Sequence, residues 1–355
     1  MKIRRLLGWL LLAGLIVYGG IAVRELRPFV QTTSMGTDGC RLVQADGLVG
    51  AEDLEFDHQS GTLYIAAAGR RSGNSFRPDP GAFFRWHLDD ESAPTKLPLQ
   101  GIPQALRPHG LGLYIHPSGE RRLFAVHHGI GGEEVLIFRL EGEPAKPVLQ
   151  LVRSVATPLF VSLNDVAGVG LESFYVTNDH AHRSALGHVY EDFTMRAQAS
   201  VVYFDGTSAR TVASDLRYAN GVQVSTDRKH LLVAETMGYR IKSFVRDERG
   251  DLLLRSQTLL DTTPDNFSRD ESGDYLIGAH PSPYLFLRHA ASANNRSPSE
   301  VLRVRLTSDG TLSPATTILG DPGQLFSASS VAASHGKHLI IGGVFDRGVL
   351  DCPAR

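Results

Sequence analysis

HGLGLYIHPSGERRLFAVHH, residues 109–128, is the stretch whose reading decides the fold. It opens on a polar residue, alternates apolar and other residues over a short run, turns at Pro117-Ser118-Gly119, and returns through a second apolar run. Two such runs flanking a turn rich in Gly and Ser read as paired β-strands. Five further stretches repeat the plan: EDLEFDHQSGTLYIAA from Glu52, NDVAGVGLESFYVTND from Asn164, NGVQVSTDRKHLLVAET from Asn220, DNFSRDESGDYLIGAH from Asp265 and SSVAASHGKHLIIGGV from Ser329. The six starts lie roughly 45–65 residues apart, which is the spacing of propeller blades. Stretches 134–140, 199–204, 240–245 and 300–306 supply further strands between the copies. The expectation is an all-β chain folded as a six-bladed β-propeller.

Composition agrees with this. With 355 residues, 42% of them hydrophobic, the chain can bury a large core, and 36 Gly with 18 Pro imply many turns. The 36 basic and 38 acidic residues are spread along the sequence for a net charge of −2, so no nucleic-acid partner is expected. There is no G-x-S-x-G elbow, H-E-x-x-H pair, Walker loop or dinucleotide fingerprint, which argues against the common serine hydrolases, zinc proteases and nucleotide enzymes. Helical periodicity is clearest over 182–199, expected as a surface helix, a lid or a membrane-touching segment; residues 69–80 read as an exposed loop.

The N-terminus differs from the rest. Lys2, Arg4 and Arg5 precede an uncharged run from Leu6 to Val23, closed by Arg24. Eighteen residues rise about 27 Å as a helix, close to the hydrocarbon thickness of a bilayer. The run offers no small-x-small cleavage site, so an uncleaved signal anchor is preferred to a cleaved signal peptide or a buried helix. The positive flank should stay in the cytoplasm, with the remaining chain on the extracytoplasmic side. The expected organisation is an anchor and linker over 1–31 and a propeller domain over 32–355. In an exported chain the two cysteines, Cys40 and Cys352, read as a disulfide, with two free thiols as the alternative.

In a propeller the first strand of each blade lines the central channel, and its start lies at one mouth. Glu52-Asp53, His109, Asn164-Asp165, Asn220 and Asp265-Asn266 would therefore converge there. A ring of carboxylate and amide oxygens suits a hard cation such as calcium, whereas thiolates and imidazoles are too few for a typical zinc site. The competing explanation is that Asn and Asp merely cap strand-starting turns. Of two N-x-[ST] sequons, Asn266 falls in this ring and Asn295 in a surface loop.

GAEDLEF around Glu52, RPHGLGLY around His109, LNDVAGVG around Asn164, FYVTNDH ending at His180, YANGV around Asn220 and DNFSRDESGDYLIGAHP from Asp265 together resemble the paraoxonases, a family of arylesterases and lactonases. The resemblance runs from Cys40 to Cys352 and implies a six-bladed propeller with two calcium ions in its tunnel. A catalytic ion would be held by Glu52, Asn164, Asn220, Asp265 and Asn266, and a deeper structural ion by Asp53, Asp165 and the carbonyl of Leu111. His109 and His128 would stand beside the upper ion, with His280 near the mouth. The chain departs from the family's vertebrate members at Ala279, where they carry a third cysteine, and in GRRSGN after the first repeat, which lacks their tyrosine. Tyr218 stands where a pocket phenylalanine is expected.

The resemblance implies hydrolysis of lactones first and aryl esters second, with organophosphate triesters as a side activity. His109 is expected to act as the base that activates water, with His128 as its partner. A carboxylate nucleophile, Asp265 or Glu52, is the alternative. Tyr218, Tyr284, Leu285 and Phe345 would favour hydrophobic substrates. Competing functions are a sugar-lactone hydrolase of the gluconolactonase type and a non-catalytic binding propeller at the cell surface; the oligomeric state is left open.

Overall fold

The computed structural model describes residues 2–71, 79–89, 92–102, 105–143 and 146–354. The side chains of residues 2–8, 10 and 11 lie outside that set, as do residues 72–78 of the loop expected over 69–80.

Six sheets form six blades around a central channel, antiparallel throughout except where Leu99–Gln100 adds in parallel to the outer strand Val148–Val155 of the second blade. Their innermost strands are Ala51–Asp57, Pro108–Ile115, Leu163–Gly168, Ala219–Val224, Thr263–Arg269 and Ser329–His335, so all six repeat starts fall at the beginnings of channel strands. The core lies in six seams between neighbouring blades. Tyr64, Phe83, Leu111, Leu123 and Phe138 fill the seam between the first and second blades, and Leu276, Leu319, Phe326, Leu339 and Ile341 the one between the fifth and sixth. Such wedges of interdigitated side chains force each sheet to turn relative to the last, and six of them close the circle.

The sixth blade joins the two ends of the chain. Strand Arg41–Val43 adds to Val349–Pro353 in antiparallel register, Arg41 opposite Asp351 and Val43 opposite Val349. The Cys40–Cys352 disulfide locks the same joint. Because it closes a loop of 312 residues, the chain-entropy account assigns it on the order of 5 kcal/mol.

Every innermost strand slips register against its neighbour near its start. The slips lie between Ala51 and Asp53, Pro108 and Leu111, Leu163 and Val166, Ala219 and Val222, Pro264 and Phe267, and Ser329 and Val331. A β-bulge breaks the strict alternation of side chains and re-aims them. This is how consecutive pairs such as Asn164-Asp165 and Asp265-Asn266 can both serve one channel.

Among the described residues three α-helices stand at the mouth where the channel strands begin: α1 (Lys2–Leu26), α2 (Ala185–Thr194) and α3 (Pro283–Ala291). The helix expected over 182–199 is shorter than its periodicity suggested. Ser184 caps its N-terminus by accepting from the Gly187 N–H, Met195 ends it in a left-handed conformation, and Ala199 already begins a strand. Helix α3, which the repeat pattern had concealed, is capped by Ser282 and started by Pro283. The C-terminal end of α1 docks on the mouth. Glu25 pairs with Arg217 at 3.0 Å, Tyr18 Oη donates to the Phe193 carbonyl at 2.7 Å, and Ser282 Oγ donates to the Arg27 carbonyl at 2.9 Å. Among the described residues no helix is long and apolar enough to cross a membrane.

Candidate active site

The bulged strand starts bring Glu52, Asn164, Asn220 and Asn266 together as buried residues, each 5% exposed or less. Every amide in the set has its NH₂ engaged. Asn164 Nδ2 donates to Asp179 Oδ2 at 3.2 Å, Asn220 Nδ2 to Thr236 Oγ1 at 3.0 Å, and Asn266 Nδ2 to Glu52 Oε1 at 2.8 Å. These partners fix the amide flips. They leave Asn164 Oδ1, Asn220 Oδ1, Asn266 Oδ1 and Glu52 Oε2 with no hydrogen-bond partner among the described residues. A buried polar atom left unpaired costs about 1–3 kcal/mol, so four of them cost a sum comparable to the net stability of a domain. An oxygen-only donor set of this kind fits a hard divalent cation and would be relieved by one.

Two glycines let the ring close. A Cβ on Gly110, next to His109, would stand 2.4 Å from Asp165 Cα, and one on Gly221, next to Asn220, would stand 2.5 Å from the Asp265 carbonyl oxygen. The HG and NG dipeptides thus pair a site residue with the gap its neighbouring strand needs.

The carboxylates around the ring respond to burial and to one another. Burial, then the neighbouring Asp165 and Glu52 charges, pushes Asp53 well above the usual carboxylate range. Burial does the same to Asp165, with Glu52 and Glu55 adding to it. Asp265 is raised by burial and by Glu52 although His280 donates to it. Glu52 behaves differently: burial pushes it up, but His109, Arg70 and Asn266 outweigh that and hold it at about 2. One level down the channel, burial lifts Glu55 to about 7 despite the 2.9 Å bond from Gln223 Nε2.

Asp53 and Asp165 sit deeper and are already tied to backbone. Asp53 Oδ2 accepts from the Leu111 N–H at 2.6 Å and its Oδ1 from the Leu54 N–H at 2.9 Å. Asp165 Oδ1 and Oδ2 accept from the Val166 and Val222 N–H groups, both at 2.7 Å.

A chain of side chains runs outward from the ring. His109 Nε2 stands 3.4 Å from Glu52 Oε1, and His109 Nδ1 is 2.8 Å from His128 Nε2. His128 Nδ1 is in turn 2.8 Å from Glu133 Oε2. Glu133 lies directly opposite His128 across the hairpin that turns at Gly129–Gly132. On the other side His280 Nε2 is 2.8 Å from Asp265 Oδ2 and its ring packs 4.4 Å from Phe286. Phe345 packs on Phe286, which in turn lies against His280. Tyr218 lines a cleft beside the ring with Asp179, His180, Asp192, Arg217 and Met237.

Several residues escaped the sequence reading. Asp179 and His180 end the FYVTNDH motif and form an ion pair at 2.8 Å, with Asp192 of α2 at 3.2 Å from the other ring nitrogen. Burial opposes the His180 charge, but those two carboxylates raise its pKa to about 10. Arg70 stands in GRRSGN, donates to the carbonyls of Gly50, Ala68 and Pro108, and lends positive charge to Glu52, Asp265 and Asp53. The one signal for Arg70 was a charged pair following a fully buried strand.

A family model described as arylesterase matches residues 48–353. Human serum paraoxonase/arylesterase 1 is 30% identical over 337 residues, covering 92% of this chain and 90% of that protein. Rat serum paraoxonase/lactonase 3 is 31% identical over 336 residues, covering 91% and 90%. Among solved structures, a gluconolactonase from Xanthomonas campestris superposes with a TM-score of 0.52 at 18% identity, covering 92% of this chain and 99% of its own, a likeness of fold alone.

Proposed function

The chain belongs to the arylesterase family, and from that premise we propose that it is a calcium-dependent hydrolase of lactones and aryl esters, lactones being the principal substrates. The observation that carries this reading is the set of four buried oxygens without partners beside a His–His–Glu chain.

Glu52, Asn164, Asn220, Asp265 and Asn266 would hold the catalytic calcium; Asp53, Asp165 and the Leu111 carbonyl would hold a second, structural ion. When bound, calcium supplies polarisation of the ester carbonyl and stabilisation of the oxyanion that develops on it. The protein's own residues handle the proton. Glu133, ionised, can only accept, so His128 carries its proton on Nδ1 and presents a lone pair at Nε2. That lone pair accepts from His109 Nδ1–H, so His109 gains and loses its second proton at Nε2, the nitrogen that faces Glu52. Water at that nitrogen is deprotonated as it attacks the carbonyl, and the imidazolium is stabilised by Glu52 on one side and by the His128–Glu133 pair on the other. Collapse of the tetrahedral species expels the alkoxide or phenoxide, which recovers the proton from His109. His280 would steady Asp265, and Tyr218 and Phe345 would shape a pocket for hydrophobic groups. Organophosphate triesters, which share the polarised oxygen, would be turned over as a side activity.

Leu186, Val189, Tyr190 and Phe193 of α2 and Leu287 of α3 are exposed beside the mouth. With the apolar run of α1 they support a membrane-anchored enzyme whose mouth lies near the lipid surface on the extracytoplasmic side, where hydrophobic substrates concentrate.

The test is hydrolysis of a hydrophobic δ-lactone and of phenyl acetate by the full chain in detergent with calcium, with excess chelator, and after calcium is restored. Activity lost on chelation supports the reading. Full activity in chelator, with no metal bound, overturns it.

A further inference from the structure

The far mouth of the channel, where the innermost strands end, carries a different cluster. His58 follows strand Ala51–Asp57, His335 ends strand Ser329–His335, and Glu271 sits in the turn after Thr263–Arg269. These are three consecutive blades, the fifth, the sixth and the first. Their ligand atoms, one imidazole nitrogen from each histidine and one carboxylate oxygen, all lie within 4.8 Å of one another. No role in the hydrolytic site engages them, since they stand at the opposite end of the strands that carry Glu52 and Asn266.

The donor atoms are pre-aimed. His58 Nε2 is 2.9 Å from the Arg269 carbonyl, an acceptor only, so that nitrogen carries the proton and His58 Nδ1 is left as a lone pair. This is the backbone-carbonyl partner that commonly orients a metal-binding histidine. His58 Nδ1 faces His335 Nδ1 at 3.4 Å. In a tetrahedral zinc site with bonds of about 2.0–2.1 Å, neighbouring ligand atoms stand about 3.3 Å apart. Glu271 Oε1 lies 2.8 Å from His335 Nδ1, while the Gly336 N–H holds Glu271 Oε2 at 3.0 Å. The Glu271 side chain is half exposed, so it can open the small extra distance a shared ion requires. Phe56 stacks on the His335 ring at 4.5 Å and contacts His58 at 4.9 Å, fixing both ring planes. Arg269 donates from its guanidinium to Thr226 Oγ1.

We propose that His58, His335 and Glu271 form a zinc site at the far mouth of the channel, a clamp across three blades that is independent of the hydrolytic centre. Two imidazoles and one carboxylate suit a borderline cation such as Zn²⁺ better than calcium, and they leave a fourth position to water. The ion would replace the His58–His335 and His335–Glu271 contacts and join the blade that holds the Cys40–Cys352 closure to its neighbours on either side.

The test is calorimetric titration of the calcium-loaded full chain in detergent with zinc chloride. One Zn²⁺ per chain is expected, with affinity reduced at least tenfold in His58→Gln, His335→Gln and Glu271→Gln. Phenyl acetate hydrolysis should stay within twofold of the parent in all three. His128→Gln, at the other mouth, should bind zinc as the parent does. Absence of binding by the parent, undiminished affinity in the three variants, or loss of binding in His128→Gln instead would each overturn the proposal. If a histidine variant does not fold, Glu271→Gln, altered on a half-exposed turn, carries the test alone.

Discussion

The two ends of the channel are built from the same six strands and carry opposite chemistry. At the strand starts the donors are amide and carboxylate oxygens, sealed from solvent and set in a β-bulge in each of the four blades that supply them. At the strand ends the donors are two imidazoles and a half-exposed carboxylate, placed in or beside hairpin turns. The difference teaches how one scaffold separates two kinds of site. A bulge that aims two consecutive residues into one ring is expensive to alter, because Gly110 and Gly221 leave no room beside it. A hairpin turn exchanges residues freely, so chemistry can be added there without disturbing the ring.

Breaking the near end should cost far more than breaking the far one. Asn220→Ala removes one unpartnered oxygen and little else, since the Asn220 NH₂ contacts only Thr236. Loss of a cation's polarising effect is worth several kcal/mol, so kcat/KM for phenyl acetate should fall about a thousandfold. An equal fall in His335→Gln would erase the distinction between the two ends. Next in size is His109→Gln, expected to lower kcat by about 10²–10⁴. Calcium affinity should barely change in that variant; a parallel loss of calcium would make His109 a support for the ring and not the base.

Much of this near end was legible in the sequence. Six polar openings at blade spacing specified both the architecture and the ring, because the residues that start channel strands must meet at one mouth. Consecutive pairs such as Asp265-Asn266 ran against strict alternation, and their joint burial became intelligible only with the bulges. The 182–199 periodicity overran its helix because nothing in hydrophobic spacing announces the left-handed turn at Met195. Arg70 was illegible: its three carbonyl acceptors come from segments that only the closed ring brings together. The far-end cluster was illegible for the same reason, since His58 lies 277 residues from His335 in sequence.

Glu133 is the case that could have been read. In HHGIGGEE, residues 127–134, a turn at Gly129–Gly132 necessarily sets Glu133 opposite His128. Glu133→Gln keeps the shape but can present an NH₂ to His128 Nδ1, which frees the ring from its tautomer. We expect kcat to fall about tenfold, the low end of general-base effects, with KM unchanged. A pure rise in KM would mean that Glu133 shapes the pocket and does not orient the histidine. Steady-state kinetics on one lactone separates the two, and sharpens the claim that proton handling is confined to the near end.

The smallest effect expected concerns the rim of the near mouth. His180 is held between Asp179 and Asp192, and its ring stacks on His188 at 4.0 Å. Its pKa rises from the usual 6.5 to about 10 in the folded protein, so the folded state binds the proton more tightly than the unfolded chain does. The pair therefore contributes its full stabilisation below about pH 6.5, and loses it as the pH rises through about 10. In His180→Gln that contribution is absent at every pH. The unfolding midpoint of the calcium-loaded variant should lie about 2–4 °C below the parent at pH 6 for each kcal/mol the pair contributes, and the two should converge by about pH 10. A gap that stays constant across this range would assign the loss to packing against Tyr218 and His188, leaving the rim without an electrostatic anchor and the contrast between the two mouths resting on their donor sets alone.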